Sequence, residues 1–173
     1  MDDLFDRLTE KDHESSVGDA MFENEQGFYL VPFVHHQKRF FVYFMPTDSD
    51  PALRDALAQV IAQDANHMLS KSSYTLKFGP AEGMGQEKMF EKTGHSVGQL
   101  FNGMSSKLIL SVKKLIEATT ADEFYFIAGA EDEKRQRQLD IWYSRMGRSM
   151  KSHNFYPIHN EPNGGWYGYK TAP

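Results

Sequence analysis

The residues best suited to bind a ligand lie in one stretch of small and hydroxyl side chains that precedes a predicted helix. This stretch comprises Thr93, Gly94, His95, Ser96, Val97 and Gly98. Backbone amides at a helix N-terminus point outward at the positive end of the helix dipole, and glycine allows an anion to approach closely. A phosphate-bearing ligand would suit this turn. An ordinary helix cap is the alternative, because the hydroxyl of Thr93 or Ser96 can satisfy the free amides by itself.

The histidines of the chain do not predict a metal site. His35 and His36 are adjacent, so on a strand they would face opposite sides of the sheet, and in a turn they would be solvated. The other five histidines lack a histidine partner four residues away, and no carboxylate brace accompanies them. The chain has no cysteine, which excludes thiolate zinc sites, disulfides and cysteine nucleophiles. We therefore expect no metal cofactor.

Charged clusters elsewhere favour structural roles. The acids Glu131, Asp132 and Glu133 lie at a predicted helix start, where the helix dipole stabilises them. Asp122 and Glu123 precede a buried strand and are expected to form a solvated turn. Three interpretations stay open for the basic side of the helix that begins near residue 131: an anion site, an acidic partner, or a solvated face that also pairs with the N-terminal segment. The basic residues are Lys134, Arg135, Arg137, Arg145, Arg148 and Lys151.

Length and composition predict one globular domain. The chain has 173 residues, of which 40% are hydrophobic and 13% aromatic, enough for a stable core in a single domain. No apolar run approaches the roughly 20 residues of a membrane helix, and the N-terminus is acidic where a secretory signal would be basic. Together with the absence of cysteine, these features predict a cytoplasmic protein with no membrane partner.

The net charge of −5 is concentrated at the N-terminus. Residues 1–26 carry nine acidic and two basic residues, a charge of −7, which leaves +2 for residues 27–173. We predict that residues 1–26 form an acidic, flexible arm, either solvated or docked on a partner or on the chain itself. Residues 27–173 are predicted to form one domain. Its near-neutral charge argues against nucleic-acid binding, for which a strongly basic surface is expected.

Hydrophobic periodicity predicts an α/β (α+β) protein with a central mixed β-sheet and helices packed on its faces. Aromatic and alternating runs predict strands, stripes of period 3.6 predict helices, and the polar residues before Pro51 predict a helix start. The expected order is ββαββαβαββ. The strands are expected at residues 28–34, 40–45, 74–78, 87–92, 123–128, 155–159 and 166–169, and the helices near residues 51–69, 97–115 and 131–153.

Residues 74–169 resemble the GNAT acetyltransferase fold, and more narrowly small phage-encoded proteins of that fold. The likeness lies in three segments: TGHSVGQLF at residues 93–101, EFYFIAG at residues 123–129 and EKRQRQLD at residues 133–140. In that family the loop between strand and helix holds the pyrophosphate of acetyl-CoA on backbone amides. The resemblance assigns this role to residues 94–98.

The resemblance implies an acyl-CoA-binding protein, an N-acetyltransferase that acts on an amine of a small molecule or a protein. The cofactor would be acetyl-CoA or CoA, bound by the stretch at residues 93–98. Leu139 stands where the family often has a tyrosine as general acid, and Tyr143, one turn later, is the nearest substitute. This change and the altered loop leave a second interpretation open: a non-catalytic, phage-type interaction protein that binds and modulates a host enzyme.

Overall fold

The computed structural model of the protein describes residues 4–12, 14–65, 67–81, 103–127, 133–160 and 166–172. These residues contain seven named strands and three α-helices. The strands are β1 (Met21–Phe22), β2 (Tyr29–His35), β3 (Lys38–Pro46), β4 (Ser73–Pro80), β5 (Glu123–Ile127), β6 (Phe155–Asn160) and β7 (Trp166–Thr171). The helices are α1 (Pro51–Ala65), α2 (Met104–Ala118) and α3 (Glu133–Ser152).

The strands form one mixed sheet in the order β1-β2-β3-β4-β5-β7-β6. β2 and β3 pair antiparallel as a hairpin, β4 and β5 pair parallel, and β7 runs antiparallel between β5 and β6. The predicted mixed α/β class with a central mixed sheet is therefore confirmed. The strand predicted at residues 87–92 lies outside the described residues.

The chain divides into two compact units. Unit 1 consists of Met1–Phe44 and Lys77–Thr119, and unit 2 consists of Met45–Leu76 and Thr120–Pro173. Strands β3 and β4 each contribute residues to both units. Each unit has its own buried apolar residues and is described separately below.

Unit 1 is built on the β2–β3 hairpin and on α2. The register pairs His35 with Lys38, so the turn has two residues, His36 and Gln37, with φ of 48° and 60°. Two left-handed residues match the right-handed twist of the flanking strands. His35 is only 3% exposed, so the prediction that it is solvated was wrong: it ends a strand whose residues are mostly buried, and its ring lies near Phe40.

Helix α2 packs on β2 through an apolar stripe of fully buried side chains at helical spacing. The stripe comprises Leu108, Ile109, Val112 and Leu115. Helix and hairpin thus share one apolar layer within unit 1.

The acidic N-terminal segment contacts the same hairpin. Phe5 packs edge-on against Phe41 at a centroid distance of 5.1 Å, and Phe5 is 5% exposed. Val17 forms an isolated antiparallel bridge with Phe33, and β1 pairs with the start of β2. These described residues dock on unit 1 by apolar contact and by strand pairing.

Unit 2 places helices on both faces of β5. Successive strand residues point to opposite faces, and Tyr125 lies with Leu57 and Ile61 of α1 in one buried cluster. On the other face, Phe126 contacts Tyr143 of α3 at 5.8 Å between ring centroids. Gly168 of β7 pairs with Tyr125, and a Cβ atom at this glycine would collide with the Tyr125 ring.

The start of α1 agrees with the sequence, but its end does not. The Asp50 carboxylate accepts the amide N–H of Leu53 at 3.1 Å, and Pro51 is the first helical residue, as predicted. The helix ends at Ala65 rather than near residue 69. The backbone N–H of Ser70 donates a hydrogen bond to the side-chain carboxylate of Glu123 in β5, and the helix does not reach this residue. Of the described helices, none is long and apolar enough to cross a membrane.

Candidate functional site

A cluster of polar side chains surrounds Glu123, the first residue of β5 in unit 2. Glu123 lies in register with Ser73 of β4 on one side and with Lys170 of β7 on the other. Its side chain is 5% exposed. A carboxylate removed from water to this extent requires hydrogen-bond donors, because an unpaired buried charge is strongly destabilising.

Three donors satisfy the Glu123 carboxylate. The Nε2 atom of His67 lies 2.5 Å from Oε1. The backbone amide of Ser70 and the hydroxyl of Tyr125 both donate to Oε2, each at 2.9 Å. The carboxylate therefore joins the loop after α1 to the interior of β5.

Asp122, the residue before Glu123, adds further hydrogen bonds to this network. Its Oδ2 atom accepts the hydroxyl of Ser70 at 3.0 Å, while its Oδ1 atom is buried and makes no hydrogen bond with the described residues. The backbone of Asp122 donates to the carbonyl of Ser72 at 3.1 Å and accepts from the amide of Thr171 at 2.9 Å. Loop, β5 and β7 are thus held together at one end of unit 2.

The arrangement resembles a histidine oriented by a carboxylate, the pairing used to set a histidine tautomer for acid–base chemistry. His67 keeps a side-chain exposure of 25%, so water reaches its ring. Burial, followed by the charge of Glu123, raises the pKa of Tyr125, which keeps its hydroxyl a donor. The described residues contain no group of three His, Cys, Asp or Glu that could hold a metal ion.

The prediction of a solvated turn at residues 122–123 was wrong for Glu123. The sequence does contain one signal of burial, since Glu123 directly opens a nearly continuous apolar strand. Nothing local identifies its partners, because His67 lies 56 residues away in the chain. This contact depends on the parallel pairing of β4 with β5.

Tyr143, the candidate general acid, lies on the face of α3 that packs against the sheet. Its residue exposure is 8%, and its ring stacks on Tyr167 at 5.2 Å with an interplanar angle of 20°. Burial, with a further contribution from Tyr167, raises the pKa of Tyr143. Tyrosine is already protonated at neutral pH at its ordinary pKa, and the upward shift makes the Tyr143 hydroxyl a weaker acid.

The predicted anion-binding stretch at residues 93–98 lies outside the described residues. The helix expected to start just after it begins at Met104, preceded by Gly103 with φ of 85°. A residue in this left-handed conformation does not continue an α-helix. The described helix therefore begins at Met104, with Gly103 as its N-cap, and residues 97–102, where the sequence predicted the start, lie outside the described residues.

A second buried charge, Lys107 of α2, lies in unit 1. Its ammonium group donates to the carbonyl of Val34 and lies 3.4 Å from Oε1 of Glu10. Burial lowers the pKa of Lys107, although Glu10 opposes this effect. Burial alone would raise the pKa of Glu10, but the amide of Gln37 and the charge of Lys107 outweigh it and lower the pKa. Glu10 therefore links the N-terminal segment to the hairpin turn and to α2.

Comparison of the chain with protein-family models, with curated proteins and with solved structures finds no match.

Proposed function

We propose that the protein is a GNAT-like N-acyltransferase that binds acetyl-CoA or another acyl-CoA and transfers its acyl group to an amine. The observation that carries this proposal is the position of Tyr143. Its ring contacts Phe126, near the carboxyl end of β5. We propose that this phenol, which like any tyrosine is protonated at neutral pH, acts as the acid.

The topology supports the same proposal. β4 and β5 are parallel neighbours, and in open sheets ligands bind at loops that follow the carboxyl ends of such strands. The connection from β4 to β5 contains residues 93–98, whose glycines and hydroxyl side chains prompted the anion-binding hypothesis. We propose that these residues bind the CoA pyrophosphate.

In the proposed reaction the amine nitrogen attacks the thioester carbonyl carbon, and the carbon–sulfur bond of the resulting tetrahedral species breaks. A carboxylate or water takes the proton from the amine. Tyr143 gives its hydroxyl proton to the departing thiolate of CoA. Such positioned proton transfers contribute a rate factor of about 10² to 10⁴.

Replacing Tyr143 by phenylalanine tests this role. The variant should bind acetyl-CoA as the unchanged protein does but transfer the acyl group at least about a hundredfold more slowly. Isothermal calorimetry measures the binding, and release of CoA thiol in the presence of a panel of amines measures the transfer. Gly94→Asp and Gly98→Asp should instead weaken binding, because each places a negative charge in the proposed pyrophosphate site.

Two results would overturn the proposal. Calorimetry at high protein concentration that shows no heat with acetyl-CoA or CoA removes the cofactor. Equal transfer rates for the Tyr143→Phe variant and the unchanged protein remove Tyr143 as the acid while leaving CoA binding intact.

A second candidate function is that of a non-catalytic protein that binds a host enzyme. Its specific support is the exposure of large apolar side chains, with Met68 at 89%, Phe22 at 59% and Ile141 at 56%. Recovery of a single partner in a fixed ratio, together with no CoA binding, would favour this function over the first.

A further inference from the structure

The outward face of α3 is basic and surrounds an exposed apolar residue. Arg137, Arg145, Arg148 and Lys151 are all exposed, and Ile141 lies among them with 56% of its surface accessible. At about 3.6 residues per turn these five positions fall within roughly 120° of the helix circumference, and they extend over about 21 Å of its length. The opposite face of the helix buries Tyr143, Met146 and Met150, which are 8%, 1% and 0% exposed.

The acidic N-terminal segment has basic partners of its own within unit 1. Asp6, Glu10 and Asp19 pair with Arg39, Lys107 and Lys114. Within unit 2, no described residue forms an ion pair with the four basic side chains of the α3 face. The interpretation in which this face pairs with the N-terminal segment stays a prediction.

Stability of the helix by itself accounts for only part of this arrangement of charges: Glu133, four residues before Arg137, is favourably spaced for an ion pair, but the spacing of the later basic residues is unfavourable. Cations are favoured by the helix dipole only in the last turn, where Lys151 lies. Arg145 and Arg148 are three residues apart, as are Arg148 and Lys151, and like charges at this spacing destabilise a helix by a few tenths of a kcal/mol per pair. A binding partner that carries negative charge would offset this repulsion.

We propose that the outward face of α3 binds an acidic segment of another protein, with an apolar side chain of that segment resting on Ile141. Charge complementarity identifies the acidic partner, and the exposed isoleucine favours a peptide, since a phosphodiester backbone offers no apolar group to cover it. The net charge of −5 also repels a nucleic acid from the rest of the protein. This surface is separate from the proposed acyl transfer and needs no CoA.

The test uses a fluorescent 20-residue peptide of glutamate and leucine, with leucine at helical spacing, and anisotropy measured without CoA. The unchanged protein should bind this peptide, and affinity should fall as salt is raised from 0.05 to 0.5 M. The double substitution Arg145→Glu with Arg148→Glu should weaken binding about tenfold or more, since two attractive contacts become repulsive. Ile141→Ser should weaken binding severalfold without changing the salt dependence.

The matched control is Lys11→Glu with Lys71→Glu, which changes the net charge equally at exposed positions outside α3. This variant should keep at least half of the affinity, and circular dichroism should show both double variants folded. Equal losses in both double variants would show a response to total charge and would overturn the proposal.

Three further outcomes would also overturn it. They are an absence of peptide binding up to millimolar protein, tighter binding of a 20-base-pair DNA duplex than of the peptide, and self-association in sedimentation that the α3 double variant abolishes. The second result would assign the surface to nucleic acid, and the third would assign it to another copy of the chain.

Discussion

Lys107 in unit 1 and Glu123 in unit 2 are both nearly removed from solvent, with side-chain exposures of 6% and 5%. Lys107 has one acidic partner, Glu10, whose own side chain is 33% exposed, and one backbone carbonyl. Glu123 has a histidine, a backbone amide and a tyrosine hydroxyl around its two oxygens. The buried anion is thus surrounded by donors, whereas the buried cation depends on a single charged residue from the N-terminal segment.

This difference indicates how tightly each segment is held. The Glu123 network fixes the loop after α1 through hydrogen bonds to a carboxylate that is almost fully buried in unit 2. The Lys107 pair fixes the N-terminal segment through a carboxylate that water reaches. Because burial of an ion is compensated only by well-placed partners, the two networks should respond differently to the loss of one group.

The largest effect is expected from Glu123→Ala. This change leaves the amide of Ser70 and the hydroxyl of Tyr125 without their acceptor, and it should lower the free energy of unfolding by about 3 kcal/mol. Urea denaturation followed by tryptophan fluorescence measures the loss. Glu123→Gln, which retains an acceptor oxygen, should lose about half as much, and a loss below about 1 kcal/mol for Glu123→Ala would contradict the described network.

Glu10→Ala should have the next largest effect, about 1 to 2 kcal/mol. It leaves the ammonium of Lys107 buried without its acidic partner and removes the acceptor of the Gln37 amide. Hydrogen exchange should also become faster at the amides of residues 14–19, which measures release of the segment. Glu14→Ala, at an exposed position of the same segment, is the control and should change neither quantity.

A smaller effect than that of Glu10→Ala is expected in the pH dependence of stability that is due to Lys107. The pKa of Lys107 in the folded state is lowered from its ordinary value of 10.5, so between the two values the unfolded chain binds more protons than the folded one. Stability due to this residue therefore rises with pH in that window. The unfolding free energy of the unchanged protein minus that of Lys107→Met should increase as the pH is raised toward 10.5. A difference that stays flat would contradict the buried cation.

Lys114→Ala should have the smallest effect, a few tenths of a kcal/mol. Lys114 pairs with Asp19 at 2.9 Å, but the side chain of Asp19 is 90% exposed. The effect should vanish in 1 M salt, since salt screens exposed pairs, whereas the effect of Glu10→Ala should persist. Unfolding measured at low and high salt distinguishes the two pairs.

Most elements of the described fold follow from local patterns. The hairpin, the capped start of α1, the buried strand β5 and helix α3 all lie where periodicity and capping residues placed them. The errors among the described elements are the end of α1 and the omission of β1. Residues 67–70 continue the apolar helical pattern, yet they leave the helix because His67 and Ser70 bind Glu123.

The residues of the candidate sites also differ in whether local sequence patterns could predict them. Tyr143 was predicted from the sequence because its position relative to a family motif is local, and its role stays a prediction. The cluster of His67, Ser70 and Glu123 was not identified, because its members come from a loop and a strand that are distant in the chain. Sequence spacing carries no information about such a cluster until the strand pairing is known.

The sequence alone determined the mixed α/β class of the fold, the absence of cysteine and the acidity of the N-terminal segment. These properties depend on residue type and on periodicity over a few turns of chain. Only the tertiary structure decided which charges are buried and with whom they pair, and which face of α3 stays in solvent. The reason is physical: the cost of burying a charge is set by the groups that surround it in space, and in this protein those groups come from distant parts of the chain.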